Sequence, residues 1–452
     1  MRMSRLLALP IAILLTILGT PANGVKAATL SLVGSSTKVC QLIGNTDWTT
    51  GLPTAAQTAT NFGLAAVDLG FPVDAGPPGR LYFLFGDAVP NGHAPTAIPT
   101  APPDDALGFT TRTAAPDAAT CLNLELVTSA PKVFAHPVVQ PTIQQGSFNV
   151  PTGGVFLNNT LYSFFWTGHC LLPSGLTPNT LAPLRRPAPS ATCPETPDNS
   201  SIGRSVLAAA NPGTPVDFHW TPPANNRLFL NMPSGFVYAS AALPPGSPPD
   251  VPVFGVPRYR ASIPYLAMAP LGTFSDADTW RYFAGMSGGS PVWITRQQWE
   301  SGKNAAGEWK PPAGAEIFDA KPAAERCVGE HSVTWNAPLH AWLLLYVCEP
   351  WTVEARFAPE PWGPWSPPIA MLSAVENPAL VCTLIQGTSP CPGHPPGGAW
   401  GGAFYAPFLM DRYTQDATAP GPGQPKRAKI YWLVSTWNPY TVVVMQSTLQ
   451  LQ

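Results

Sequence analysis

The chain has 452 residues, 45% of them hydrophobic and 10% aromatic against only 11% charged, enough apolar bulk for a large core and too much for a disordered polyelectrolyte. Its 57 prolines argue against long helices, because proline breaks helix interiors and is confined in sheets to edges and turns. With 24 Lys and Arg set against 26 Asp and Glu and no basic stripe, nucleic acid is not an expected partner.

The first segment reads as an address. Arg2 and Arg5 precede an apolar run over residues 6–18, and Val25-Lys26-Ala27 offers a small-x-small cleavage pattern. The run is about a dozen residues where a membrane span needs about 20, so residues 1–27 are expected to be a secretory signal. Residues 28–452 are then expected to form one catalytic domain with no membrane span, secreted or held in the cell envelope. All eight cysteines lie beyond the cut. An even count in an exported chain reads as disulfides. Pairing neighbours in the chain gives Cys40–Cys121, Cys170–Cys193, Cys327–Cys348 and Cys382–Cys391. Neither Cys-x-x-Cys nor His-x-x-x-His spacing occurs, so no metal or other cofactor is expected.

Five stretches share one plan, an apolar strand with a polar residue near its start, a turn, and an aromatic-rich strand. They are residues 65–73 with 80–87, 149–157 with 161–167 across Asn158-Asn159, 259–268 with 280–285, 330–336 with 342–347, and 404–410 with 429–436. The second strands (LYFLFGD, LYSFFWT, WRYFAG, WLLLYVC, IYWLVST) are almost unbroken apolar runs, as strands buried on both faces are. Radial repetition of small antiparallel sheets uses five such pairs without exposing long edges, so the expected fold is all-β, a five-bladed β-propeller. A β-sandwich, the other candidate, would need shorter and more even strand spacing. Residues 172–199 and 243–256, rich in Pro, Ser and Thr, are expected to be long rim loops.

In a propeller the inner strands line a central funnel, so polar residues on them meet. Asp68 and Asp87 interrupt apolar segments, and Glu330 opens one. A carboxylate beside apolar residues is costly to bury unless it is bonded or used. Glycoside hydrolysis needs two carboxyl groups across the scissile bond, one protonated and one ionised. Asp68, Asp87 and Glu330 are therefore the candidate catalytic residues. Asp47, Trp48, Trp166, Arg260, Trp335, Tyr405, Trp437 and Asn438 are candidates for binding sugar. An Asp after Gly at a strand end also caps turns, and buried tryptophans also merely fill space between blades.

Other motifs carry less. Gly285-Met286-Ser287-Gly288-Gly289 fits the G-x-S-x-G pattern of serine hydrolases, but the glycines and Pro291 that follow oppose the helix such an elbow requires. Residues 275–280 look like a sialidase Asp-box, a structural turn. Asn158 and Asn199 head glycosylation sequons.

Asp68-Leu69-Gly70-Phe71-Pro72, residues 79–87, Val150-Pro151-Thr152-Gly153, residues 330–335 and residues 431–444, including Ser435-Thr436-Trp437-Asn438-Pro439-Tyr440, give the chain a family likeness. It resembles a once uncharacterised domain now associated with endo-D-arabinanases, which cut the D-arabinan of mycobacterial and related cell walls. The resemblance runs in order from about residue 45 to the C-terminus. It implies a five-bladed propeller and a glycosidase with acidic catalytic residues, in which Asp68 and Asp87 match acidic positions of the first blade and Glu330 one of a later blade. The expected partner is thus a polysaccharide substrate, bound by a monomer and attacked by water with inversion; a sugar-binding propeller without catalysis is the alternative.

Overall fold

The computed structural model describes residues 28–92, 104–135, 138–140, 143–144, 149–167, 170–171, 204–220, 238–243, 246, 249–257, 259–302, 310–318, 326–348, 352–386, 391 and 402–452. The signal-like segment and residues 172–199, with Cys193 and Asn199, lie outside them.

Five antiparallel-based sheets stand around a common axis as a five-bladed β-propeller. Blade 1 runs outward through Leu64–Asp74, Leu81–Pro90, Asp104–Thr110 and Glu125–Leu126. Blade 2 holds Asn149–Leu157, Thr160–Thr167, Arg204–Ala210 and Asp217–Trp220, with Val138–Gln140 added in parallel at its edge. Blade 3 holds Tyr238–Ala241, Asp250–Val256, Tyr265–Pro270, Arg281–Ser287 and Ser290–Thr295. Blade 4 holds His331–Asn336, Ala341–Cys348, Thr352–Ala358 and Ile369–Ser373. Blade 5 begins inside with Ala403–Leu409, continues through Lys426–Trp437 and Thr441–Leu451, and is completed by N-terminal strands. Leu30–Leu32 and Thr37–Gln41 both pair with Thr441–Leu451, so the ring is closed by the two ends of the chain.

The second strands are buried as their unbroken apolar character requires. Leu81 to Phe85 are all at most 2% exposed, and every residue of Ala341–Cys348 is buried. Each such side chain contributes about 1.5–3 kcal/mol on leaving water. The expected Asn158-Asn159 turn closes the first hairpin of blade 2, both residues at positive φ as a type I′ turn demands.

Blade 3 corrects the reading of the third repeat. Residues 259–268 do not form its inner strand; Tyr265–Pro270 and Arg281–Ser287 are its third and fourth strands, and Tyr238–Ala241 lines the axis. The inner strand lies close against blade 2: a side chain on Gly153 would come within 2.4 Å of the Ala239 carbonyl oxygen. Asp250–Val256, expected in a loop, is the strand paired to it. Tyr259 and Arg260 lie in the connection that follows.

Gly285 and Ser287 sit on a strand that turns back into Ser290–Thr295, a strand–turn–strand with no helix, so the serine-elbow geometry is absent. The Asp-box-like segment is a 3-10 turn over Ala277–Thr279 that seats the buried Trp280. Among the described residues, disulfides join Cys40–Cys121, Cys327–Cys348 and Cys382–Cys391, as neighbour pairing anticipates; the expected Cys170–Cys193 pair falls outside them.

Candidate functional site

Two β-bulges bring Asp68 and Asp87 to one place. Asp68 lies on the inner strand of blade 1, opposite Gly86 of the second strand, with register shifts on both sides of it. Asp87 follows Gly86 at φ 51°, a left-handed conformation that an L-residue adopts at a cost, and the pairing slips there too. In a regular strand Asp87 would face away from Asp68; a bulge re-aims the side chain. The sequence reading had Asp87 ending its strand, but the strand runs on to Pro90, so the residue is not a turn cap. Gly86 has to be small, since a Cβ there would come within 2.7 Å of Leu69 and 3.2 Å of Asp68 Oδ1.

Glu330 arrives from blade 4, one residue before its inner strand, and is 3% exposed. Its segment is anchored by Cys327, bonded to Cys348 at the end of the neighbouring strand. It also pairs with the blade 3 connection: the Arg260 N–H donates to the Val328 carbonyl at 3.1 Å, and the Val328 N–H to that of Ser262 at 3.0 Å. That pairing lays Tyr259 and Arg260 across Gly329, where a Cβ would strike Arg260 Cγ at 2.7 Å. Tyr259 donates its hydroxyl to Glu330 Oε1, and Arg260 Nη2 reaches both carboxylate oxygens, at 3.2 and 3.4 Å. The guanidinium carbon lies 4.9 Å from the Tyr259 ring and 5.9 Å from the Tyr405 ring.

Tyr405, on the inner strand of blade 5, donates its hydroxyl to Asp68 Oδ2 at 2.9 Å. Tyr440 stands beside the same carboxylate, near enough to stabilise its anion without completing a well-formed hydrogen bond. Asp68 is 8% exposed, and its Oδ1 is buried without a hydrogen-bond partner among the described residues.

The carboxylates differ electrostatically. Burial, then the charges of Asp87 and Glu330, drives Asp68 well above the usual carboxylate range, while the hydroxyls of Tyr405 and Tyr440 pull it down. Burial raises Asp87 to about 6. Two neighbouring acids thus titrate at different pH, with Asp68 the better keeper of a proton. Burial raises Tyr259, Tyr405 and Tyr440 well above their ordinary value, so all three remain hydroxyl donors at neutral pH.

Of the residues proposed to bind sugar, Arg260 and Tyr405 belong to this cluster, Arg260 from a turn at φ 52° and not from a strand. Trp437 packs edge-on against Tyr440 at 5.3 Å, and Asn438 follows it across a cis bond to Pro439. Trp335 is elsewhere: five residues beyond Glu330 on an extended strand is roughly 16 Å, and its ring packs against Trp342 at 5.8 Å. Asp47 Oδ1 is taken by Lys38 at 2.8 Å and by the backbone N–H groups of Thr49 and Thr50 at 2.9 and 3.1 Å, which makes it a turn cap. Trp48, in the same turn, is 39% exposed. The Trp166 side chain lies outside the described residues. Tyr259 and Tyr440 were not singled out from sequence. Tyr440 closes the distinctive residues 435–440, which was its signal; Tyr259 carried none. Among the described residues no cluster of three or more His, Cys, Asp or Glu side chains has metal-binding geometry.

A family model described as a domain of unknown function, DUF4185, matches residues 219–446, just over half of the chain. The chain belongs to that family. The matched part of this DUF4185 chain carries Glu330, Tyr405 and Tyr440; Asp68 and Asp87 precede it. No curated protein matches it. Among solved structures, a Bacteroides ovatus protein assigned provisionally as a hydrolase is 10% identical at TM-score 0.47, over 86% of this chain and 87% of that one. An exo-β-1,3-galactanase from Phanerochaete chrysosporium is 9% identical at TM-score 0.39, over 91% and 64%. A GH43_1 enzyme from Xanthomonas citri is 11% identical at TM-score 0.39, over 87% and 91%. Such likenesses concern the path of the chain; the chemistry rests on the residues of the site itself.

Proposed function

We propose that the cluster is the active site of an exported glycoside hydrolase that cuts furanosidic linkages in cell-wall polysaccharide, D-arabinan foremost. The observation that carries this reading is the meeting of Asp68, Asp87 and Glu330, from two blades and distant parts of the chain, in one group in which Asp68 and Glu330 are buried and both Asp68 and Asp87 are pushed above the usual carboxylate range. A protonated acid and an ionised base, one on each side of the scissile bond at neutral pH, are what glycoside hydrolysis requires.

The roles follow from the bonding. Asp68 keeps its proton, has an oxygen without a hydrogen-bond partner among the described residues, and protonates the departing glycosidic oxygen. Asp87, ionised above about pH 6, takes a proton from the water that attacks the anomeric carbon. Burial first, then Asp87, keeps Asp68 protonated; Glu330, both oxygens reached by Arg260, adds the smallest push and anchors the guanidinium beside Tyr405. Tyr405 orients Asp68. D-arabinan is favoured because the most distinctive part of the sequence resemblance, residues 435–440, packs against this acid through Tyr440. The three disulfides and the signal-like N-terminus support export.

The test is incubation of the purified protein with arabinogalactan, scored by new reducing ends. Products are expected. Binding without products would make the molecule a sugar-binding propeller and overturn the hydrolase reading.

A further inference from the structure

Away from the carboxylates, one aromatic side chain is held out to solvent. Trp48, at 39%, is the one exposed tryptophan among those whose side chains are described, and Leu52 in the same turn is 64% exposed. The turn is fastened tightly. A bridge between Thr46 and Pro53 closes it, the Asp47 N–H donates to the Leu52 carbonyl at 2.7 Å, and the Gly51 N–H donates to that of Asp47 at 2.8 Å. The Asp47 carboxylate caps it from inside, and Gln41 Oε1 accepts the Trp48 N–H at 2.9 Å. Keeping large apolar side chains in water is unfavourable, and Trp48 and Leu52 are exposed together in one turn and not scattered singly.

A line of direct contacts joins this turn to the acids. Thr49 Oγ1 donates to the carbonyl of Thr383 at 2.6 Å, at the end of the helix Pro378–Leu384. Just past that helix, the Gln386 N–H donates to the Asn438 carbonyl at 2.8 Å. Asn438 lies between Trp437 and Tyr440, whose rings touch, and Tyr440 stands against Asp68.

The geometry points to this line as an extended glycan-binding track, with Trp437 beside the reacting bond and Trp48 a distal platform for a sugar further along the same chain. The ligand is a neutral polysaccharide. Pyranose and furanose rings present apolar C–H faces that stack on indole, whereas the ionised Asp87 at the head of the track repels a polyanion. The inference rests on the hydrolase reading for its consequence: a site that grips several residues cuts within polymers, and short substrates forfeit binding energy that is spent at the reacting bond.

The experiment compares wild type, Trp48→Ala, Trp48→Phe and, as a control, Val375→Ser, an 84% exposed position near the opposite end of the same helix. Electrophoresis through gels containing arabinogalactan reads polymer affinity, and KM is measured on arabinogalactan and on short arabino-oligosaccharides. Trp48→Ala is expected to weaken polymer binding about tenfold and Trp48→Phe about twofold, with Val375→Ser running as wild type. The KM penalty should shrink as the oligosaccharide shortens. Retardation of Trp48→Ala equal to wild type, or an equal penalty on short and long substrates, overturns the track. A wild type that forms no products yet is retarded, with retardation lost in Trp48→Ala, keeps the track and removes the hydrolase. A wild type not retarded at all removes the track even if products form.

Discussion

Replacing Asp87 with Asn should abolish turnover and, above pH 6, make the protein more stable. The sign follows from linkage. Asp87 binds its proton more tightly in the fold, at about 6, than in the unfolded chain, at about 3.9. Its contribution is therefore fully present below about pH 4 and is lost as pH rises towards 6. Two units at about 1.36 kcal/mol each amount to about 3 kcal/mol of destabilisation carried by the wild type at pH 7.5. Asn, which has the same shape and no charge, relieves most of it; with solvent reaching part of the side chain, about 2 kcal/mol is a fair expectation. An unfolding entropy of about 2.1 cal/mol/K per residue gives a chain of this length roughly 1 kcal/mol/K, so Tm should rise by about 2 °C. The assay is calorimetry of wild type and Asp87→Asn at pH 7.5 and pH 4. A gain at pH 7.5 that vanishes at pH 4 is expected. A loss of stability at pH 7.5 would show that the fold favours the Asp87 anion, and the assignment of a strained catalytic base would fail.

Three further outcomes are expected. Tyr405→Phe removes a hydroxyl that stabilises the Asp68 anion. A hydrogen bond to a charged group is worth about 1.5–3 kcal/mol, so the alkaline limb of the pH profile of kcat/KM should move up by about one to two units while the acid limb near 6 stays. Arg260→Leu strands a carboxylate that is 3% exposed. Thermal unfolding should show a loss of about 3 kcal/mol, largely recovered by adding Glu330→Gln. Gly329→Ala, which drives a methyl group into Arg260 and Tyr259, should lower kcat/KM and leave the disulfides intact; undiminished activity would mean that the laid-over pair does not serve Glu330.

The ring was legible in the sequence where strands are long and apolar. Leu81–Pro90 and Ala341–Cys348 announce themselves because both faces are buried. The inner strand of blade 3 did not, because Tyr238–Ala241 is four residues of mostly small side chains, too short to show a period. Closure by Leu30–Leu32 and Thr37–Gln41 was equally silent, since nothing local tells a strand that its partner is the far end of the chain. Asp68 and Glu330 stood out as charges in apolar surroundings. Their environment did not: the bulge that turns Asp87 towards Asp68, and the pairing of Val328 with Ser262 that delivers Tyr259 and Arg260, are long-range events. The Trp335–Trp342 ring contact and the cap that Asp47 makes on its turn were equally invisible without the fold.

The central claim is that Asp68 and Asp87 act as one unit, and the direct measurement is kcat/KM on arabinogalactan for Asp68→Asn, Asp87→Asn and the double variant, each confirmed folded by circular dichroism. Groups that share one step are not additive: either substitution should cost on the order of a thousandfold, and the double variant should be no worse than the poorer single one. Losses that multiply, or hydrolysis that survives in both single variants, would contradict it.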